Sequence, residues 1–435
     1  MSSSKDELVV VLDAPELGPA RPVGVLTRWP GHVLSVGFQY AASWLRSDGS
    51  FPIDPSLPLI EYLTTIGQRR LPGIFADTAP DAWGELLLRR RAEQELDDWG
   101  YLVGVADTTR MGALRLRHGV DGPFMSEEDP AVPPLARLRE LQEAARRFLD
   151  DPDAEVDEGI ALLLAPGSSL GGARPKANYQ DSEGQLWIAK FPAQTDRRDV
   201  GAWEHVYTRL ASAAGIEVPD TDLLAIGDGA RTFVTRRFDR TPEGRRLYAS
   251  ALTLSSRTTS TDMDYLDFAR ATRESIAADT VRDDLAQLYR RMVFNVLAGN
   301  RDDHPRNHGF LRTALGWRLA PAFDMNPARE MREHATAVDG RTSGIGVDDL
   351  LATRSHFGLV TDAARRIVDD VTGALGTWRE VARATGISRA EQDRVGSVIT
   401  LSASAAVGRG HGPSSHSAAC GSRRRRSRPA GFRGP

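Results

Sequence analysis

Apolar positions along this chain follow two spacings. Residues 1–125 are dominated by short strand-like runs such as 8–12 and 23–26, with helices expected around 59–66 and 81–96. A connector rich in Pro and acids at 123–134 leads to an amphipathic helix at 137–149 and a short helix at 155–165. The run 185–191 alternates between Gly184 and Pro192 and predicts a strand. Val200, Trp203, Val206, Tyr207 and Leu210 then form a helical stripe over 200–214, followed by a strand at 232–235. From 250 onward the pattern is mostly helical. Leu285, Leu288, Met292, Val293, Val296 and Leu297 share one face, and Gly299 is placed to end that helix. Two short strands at 309–313 and 317–320 flank Ala314-Leu315-Gly316. Helices return at 361–375 and 377–385, and 388–401 opens with Ser388 and Glu391 at capping-box spacing.

With 435 residues, 41% hydrophobic and 26% charged, the chain is long and apolar enough for two or three packed domains. Its net charge of −4 hides an asymmetry: residues 408–435 hold seven Arg and no acid, leaving about −11 on the remainder. An acidic body carries no general nucleic-acid signal. The Gly-, Ser-, Pro- and Arg-rich tail predicts disorder. One cysteine, Cys420, permits no internal disulfide. No signal-peptide pattern opens the chain and no apolar run approaches a membrane span, so a cytoplasmic protein with no membrane partner is expected.

Candidate chemistry concentrates in Asn300-Arg301-Asp302-Asp303-His304-Pro305-Arg306-Asn307 and in Phe323-Asp324-Met325. An Asp five residues before an Asn, then an isolated Asp beyond a hairpin, is the spacing of a kinase catalytic loop and its metal-binding Asp. Asp302 would take a hydroxyl proton, while Asn307 and Asp324 would offer oxygens to Mg²⁺. A polar turn capped by Asp and Asn explains the same residues without chemistry. A metal-dependent hydrolase using His304 and His308 is a third reading, opposed by Pro305 and Gly309, which argue against a helix there.

Four upstream features fall in kinase order. A Gly-rich turn at 167–176 lets backbone N–H groups approach phosphate. Lys190 sits in the predicted strand 185–191 on the face of Ile188, where a charge needs an anion. Glu204 shares the apolar stripe of helix 200–214, where an acid needs a partner, and Lys190 is the obvious one. Strand 232–235 then runs into Arg236-Arg237-Phe238, placed as a hinge that would read adenine with backbone groups.

On Ser169 to Lys176, Trp187 to Lys190, Arg237-Phe238-Asp239-Arg240, the loop from Gly299 to Asn307 and Leu319 to Asp324, the chain resembles the HipA-type serine/threonine protein kinases, toxins of bacterial toxin–antitoxin pairs. Phe38-Gln39-Tyr40, Pro80-Asp81-Ala82-Trp83-Gly84 and Arg110-Met111-Gly112-Ala113-Leu114 resemble the same family's first subdomain. The resemblance covers about residues 20–400 and implies an α+β, two-lobed protein-kinase-like fold. That fold has an N-terminal β-rich subdomain (1–125), a nucleotide-binding lobe (126–240), a mostly helical catalytic lobe (241–405) and then the basic tail (406–435).

The resemblance also implies ATP and Mg²⁺ as cofactors. Asp302 matches the base, Asn307 and Asp324 the metal ligands, and Lys190 the phosphate-contacting lysine. Gly171, Gly172, Ala173, Arg174, Pro175 and Lys176 match the nucleotide loop, and Arg236, Arg237 and Phe238 the hinge. His304 and Phe323 join the nucleotide contacts, and Ser169 matches a position of autophosphorylation. Pro175 departs from the pattern by stiffening the loop end and removing one N–H, and Arg174 and Arg236 add positive charge. A protein substrate in translation, such as an aminoacyl-tRNA synthetase, is implied. So is an antitoxin partner chain with a helix-turn-helix through which DNA would be bound only indirectly. Two alternatives stay open: a catalytically weak or inactive module of an antitoxin–DNA repressor complex, and a small-molecule kinase.

Overall fold

The computed structural model describes residues 5–29, 35–66, 71–92, 95–125, 132–152, 158–164, 174–227, 229–257, 259, 263–276 and 279–399. Ser169, Gly171, Gly172, Ala173 and the tail 406–435 lie outside the described residues.

The N-terminal region is built on an antiparallel five-stranded sheet, in the order Thr64–Ile66, Ser35–Tyr40, Arg21–Trp29, Asp6–Leu12, Leu114–Arg117. Leu8, Val10, Leu12, Val23, Leu26 and Phe38 are buried beneath it. The helix expected at 59–66 does not form; its end, Thr64–Ile66, is the edge strand, paired to Ser35–Tyr40. Thr64, Thr65 and Ile66 are β-branched, which crowds a helix turn, and an open sheet edge supplies the partner. The helix expected over 81–96 ends early, as Ala82–Arg91, and a separate helix, Asp98–Gly104, follows beyond that range; the Asp81 and Asp97 side chains cap the two.

A second antiparallel sheet runs Lys176–Gln180, Leu186–Lys190, Thr232–Arg236, Thr221–Leu224. Its packed face holds Ala177, Tyr179, Ala189 and Val234 against Trp83 and Leu87 of helix Ala82–Arg91 and Leu141 and Phe148 of helix Leu138–Asp150. The N-terminal region therefore braces this sheet directly. Helix Val200–Ala213 connects it to the helical part: Trp203 packs 6.2 Å from Trp378 between ring centroids, and the Tyr207 hydroxyl donates to the Ala298 carbonyl at 2.6 Å.

The C-terminal part is mostly helical, around helix Val281–Ala298 and a three-stranded sheet of Tyr248–Ser250, Gly309–Thr313 and Gly316–Leu319. Gly299 ends the long helix at φ +71°, and a Cβ there would stand 2.5 Å from the Val398 carbonyl. Only glycine meets both demands. The chain then turns straight into the segment carrying Asp302.

Candidate active site

Three polar side chains meet at the mouth of the second sheet. Lys190, the last residue of its strand, places Nζ 2.5 Å from Glu204 Oε1 and 2.7 Å from Asp324 Oδ1. Glu204 comes from the buried stripe of helix Val200–Ala213. Burial would lower the Lys190 pKa, but Asp324 and Glu204 outweigh it and hold the amine above its ordinary value. Burial would likewise raise Asp324; Lys190, with Lys176 and His304 nearby, holds it below the usual range. Burial pushes Glu204 up, and Asp324 adds to the push. The group is thus a charged lysine shared by an ionised Asp324 and a strained second carboxylate.

Asp324 adopts φ +59°, a left-handed conformation that costs a non-glycine residue about 1–2 kcal/mol. Such strain collects where geometry serves function rather than packing. Asn326, two residues on, is tied back to Asn300 by its backbone N–H at 3.3 Å, which fastens the Asp324 segment to the end of the long helix.

The 302–307 loop has a division of labour. Asp302 is exposed. Partial burial of its carboxyl raises its pKa; Asp324 and Asp303 add to this, and His304 opposes it. Asp303 is buried, accepts from the Tyr265 hydroxyl and lies 2.7 Å from His308 Nε2. Burial raises Asp303, but His308 and Tyr265 prevail and lower it. Asn307 donates from Nδ2 to the Asp302 carbonyl at 3.0 Å, leaving its buried Oδ1 without a partner. An unpartnered buried amide oxygen is costly in an apolar setting and suits a hard cation. Asp324 and Asn307 therefore fit Mg²⁺, whose remaining positions nucleotide oxygens and waters ordinarily fill.

The hydrolase reading fails on this geometry. Pro305–Asn307 is a single 3-10 turn, and His308 is committed to Asp303 between the rings of Tyr265 and Phe268. Among the described residues no group of three His, Cys, Asp or Glu could hold a metal by itself.

A pocket extends from Lys190, Glu204 and Asp324 to the 236–238 segment, walled by Ile188, Phe233, Ala322 and Phe323. Apolar walls with polar groups at one end suit a flat base carrying phosphates. The Arg237 N–H is already used by the Leu186 carbonyl, and its side chain is buried against Asp239, Asn178 and the Thr109 carbonyl. Arg174 pairs with Asp196, Arg236 with Asp220 and Lys176 with Asp81. These four side chains, expected near the nucleotide, are each engaged by protein carboxylates. His304 and Phe323 line the same region, Phe323 in the pocket wall and His304 close enough to influence Asp302 and Asp324.

Sequence reasoning missed two partners. Asp81 clamps Lys176 at 2.5 Å while Trp83 Nε1 donates to the Lys176 carbonyl at 2.9 Å. The Tyr265–Asp303–His308 group was also unseen. The signal for the first was present in Pro80-Asp81-Ala82-Trp83-Gly84; nothing local in the sequence marks Tyr265.

Residues 18–117 match the family model of the HipA N-terminal domain, and residues 168–378 match that of the HipA-like C-terminal domain. The fold is similar to HipA of Shewanella oneidensis MR-1, solved in a toxin–antitoxin complex with HipB and operator DNA. The TM-score is 0.61 at 18% identity, covering 91% of this chain and 95% of that one. In sequence, the chain is 22% identical over 325 residues to a Sinorhizobium fredii protein named "Putative kinase Y4mE", covering 67% of this chain and 71% of that protein. It is 28% identical over 214 residues to the similarly named Y4dM of the same organism, covering 43% and 51%. The fold is mixed α/β, β-rich at its N-terminal end and helical at its C-terminal end, as in that HipA structure.

Proposed function

The chain belongs to the HipA-type proteins, and from that premise we propose that it is an ATP- and Mg²⁺-dependent serine/threonine protein kinase. The observation that carries the reading is convergence. Lys190 donates to both Glu204 and Asp324, and Asp302 and Asn307 lie beside them on one loop, although these residues span more than a hundred positions. A packing role would not leave Asn307 Oδ1 unpartnered, Asp324 strained and Asp302 exposed.

Each side chain then has one task. Asp302 accepts the proton of the acceptor hydroxyl as its oxygen bonds to the γ-phosphorus of ATP and the bond to the ADP oxygen breaks, its electron pair leaving with ADP. Lys190 gives its charge to the phosphates, and Glu204 holds that amine in line. Asp324 and Asn307 would hold Mg²⁺, which when bound spreads the phosphate charge. Asp303, saturated inside the helical part, supports the loop and does not take the proton.

The HipA relative is solved with HipB and DNA, so an antitoxin chain that carries the DNA contact is proposed as the partner here too. Autophosphorylation at Ser169 is proposed from the family resemblance, and phosphopeptide mapping after incubation with Mg·ATP tests it. The deciding experiment incubates the whole protein with labelled ATP, Mg²⁺ and cell lysate. Label should enter a protein with wild type and not with Asp302→Ala; equal labelling by both would overturn the assignment.

A further inference from the structure

Beyond the nucleotide pocket a second cleft opens between the N-terminal region and the helical part, with a volume of about 660 Å³. Leu71, Ala76 and Pro80 form one side; Leu252, Arg257 and Arg306 form the other. It continues into a smaller cavity that reaches Asp81, Met111 and Phe323. Met111 and Phe323 are also walls of the nucleotide pocket. The two spaces thus meet at the Asp324 end, with Arg306 belonging to the same loop as Asp302.

Its charges are unevenly committed. Asp77 accepts from the Ser250 N–H at 2.7 Å, the Ser250 hydroxyl at 2.8 Å and the Thr253 hydroxyl at 2.7 Å. Glu85 pairs with Arg89 at 3.1 Å. Asp98 has interactions of its own and sits in the first turn of helix Asp98–Gly104, where the helix end favours a negative charge. Arg306 and Arg257 are exposed, and neither side chain makes a hydrogen bond or ion pair among the described residues. Arg306 is near enough to the buried Asp77 to oppose the upward push that burial gives that carboxyl. The cleft acids Asp77 and Glu85 have hydrogen-bond partners, whereas the two guanidinium groups make none among the described residues.

We propose that this cleft is the phosphoacceptor site, and that it takes an extended polypeptide segment with acidic side chains beside the reacting serine or threonine, which Arg306 and Arg257 pair. The inference rests on the kinase reading above. Arg306 stands on the catalytic loop and recognises the residue next to the acceptor. Arg257 stands farther along the wall and recognises a more distant one. The N-terminal region supplies the opposite wall, so substrate choice is shared between both halves of the chain.

The test uses the whole protein and two fluorescent peptides that share one serine, flanked by Glu in one and by Lys in the other. Binding is read by anisotropy without nucleotide, and Mg·ATP binding is read separately by calorimetry. Wild type should bind the acidic peptide at least about tenfold more tightly, the scale on which close charge pairs act across an interface. Arg257→Glu and Arg306→Glu should each remove that preference with Mg·ATP affinity unchanged for Arg257→Glu; because Arg306 lies near the buried Asp77, Arg306→Gln is measured beside it and should also weaken the preference. Equal binding of the two peptides, a preference for the basic one, or a preference that survives both exchanges overturns the proposal. Loss of Mg·ATP binding by wild type would instead sink the kinase reading. With ATP bound, failure to phosphorylate the acidic peptide in preference to the basic one also counts against the acceptor site.

Discussion

Lys176 and Lys190 stand directly opposite one another across the antiparallel ladder of the second sheet. Like charges so placed repel. Each is answered from outside the sheet: Lys190 by Glu204 and Asp324, Lys176 by Asp81 of the N-terminal region. Lys176 is 1% exposed, and burial pulls its pKa down, with Asp81 opposing. The N-terminal region thus neutralises the strand that follows the Gly-rich segment.

Asp81→Asn should therefore leave Lys176 buried without its anion. Loss of one partner of a buried pair costs about 3–5 kcal/mol, visible as a lowered midpoint in urea unfolding. If phosphates can then take over the lysine, Mg·ATP will raise the melting temperature of the variant more than that of wild type. Equal shifts would show that Lys176 never meets the nucleotide.

Asp302 and Asp303 are neighbours with opposite commitments, and their amides should separate them. Asp302→Asn is expected to abolish transfer with Mg·ATP still bound. Asp303→Asn is expected to lower stability by about 2 kcal/mol, the scale of a hydrogen bond to a buried charge, because the charge is lost and one of Tyr265 and His308 then meets an amide NH2 in place of an acceptor oxygen. Thermal melts and turnover measured side by side check both.

The raised pKa of Asp302 sets the sign of two pH effects. As pH falls, a base with a raised pKa is protonated early, so kcat should decline on the acid side at a pH above the ordinary Asp value of about 3.9. A carboxyl that ionises less readily folded than unfolded costs stability above its folded pKa. Asp302→Asn should thus melt at or above the wild-type temperature at neutral pH, and below it only if the carboxylate is making contacts that hold the fold.

Gly299→Ala meets both a left-handed backbone and the Val398 carbonyl. The conformational part alone costs about 1–2 kcal/mol. Displacing the loop that follows should also reduce kcat more than it raises the KM for ATP, since Lys190 and the 236–238 segment lie on other elements. Steady-state kinetics beside denaturation curves would show the split.

Local pattern was enough wherever one element's own residues decide its form. The stripe of Val200, Trp203, Val206, Tyr207 and Leu210 gave helix Val200–Ala213, and the alternation around Lys190 gave strand Leu186–Lys190. Gly299 ends its helix as its position implies. The miss at 59–66 shows the limit: three β-branched residues were free to pair only because the edge of Ser35–Tyr40 stood open beside them.

The sequence by itself determined which residue types were available for phosphoryl transfer and in what order, because spacing along a loop or helix fixes which side chains can share a face. The tertiary structure alone decided how they are used. Asp302 and Asp303 are indistinguishable as letters; one is exposed and the other is consumed by Tyr265, 38 positions away. Lys176, expected at the nucleotide loop, is paired with Asp81, 95 positions earlier. The physical reason is desolvation: a buried charge must find its counter-charge wherever folding brings one, and that partner leaves no mark in the local sequence.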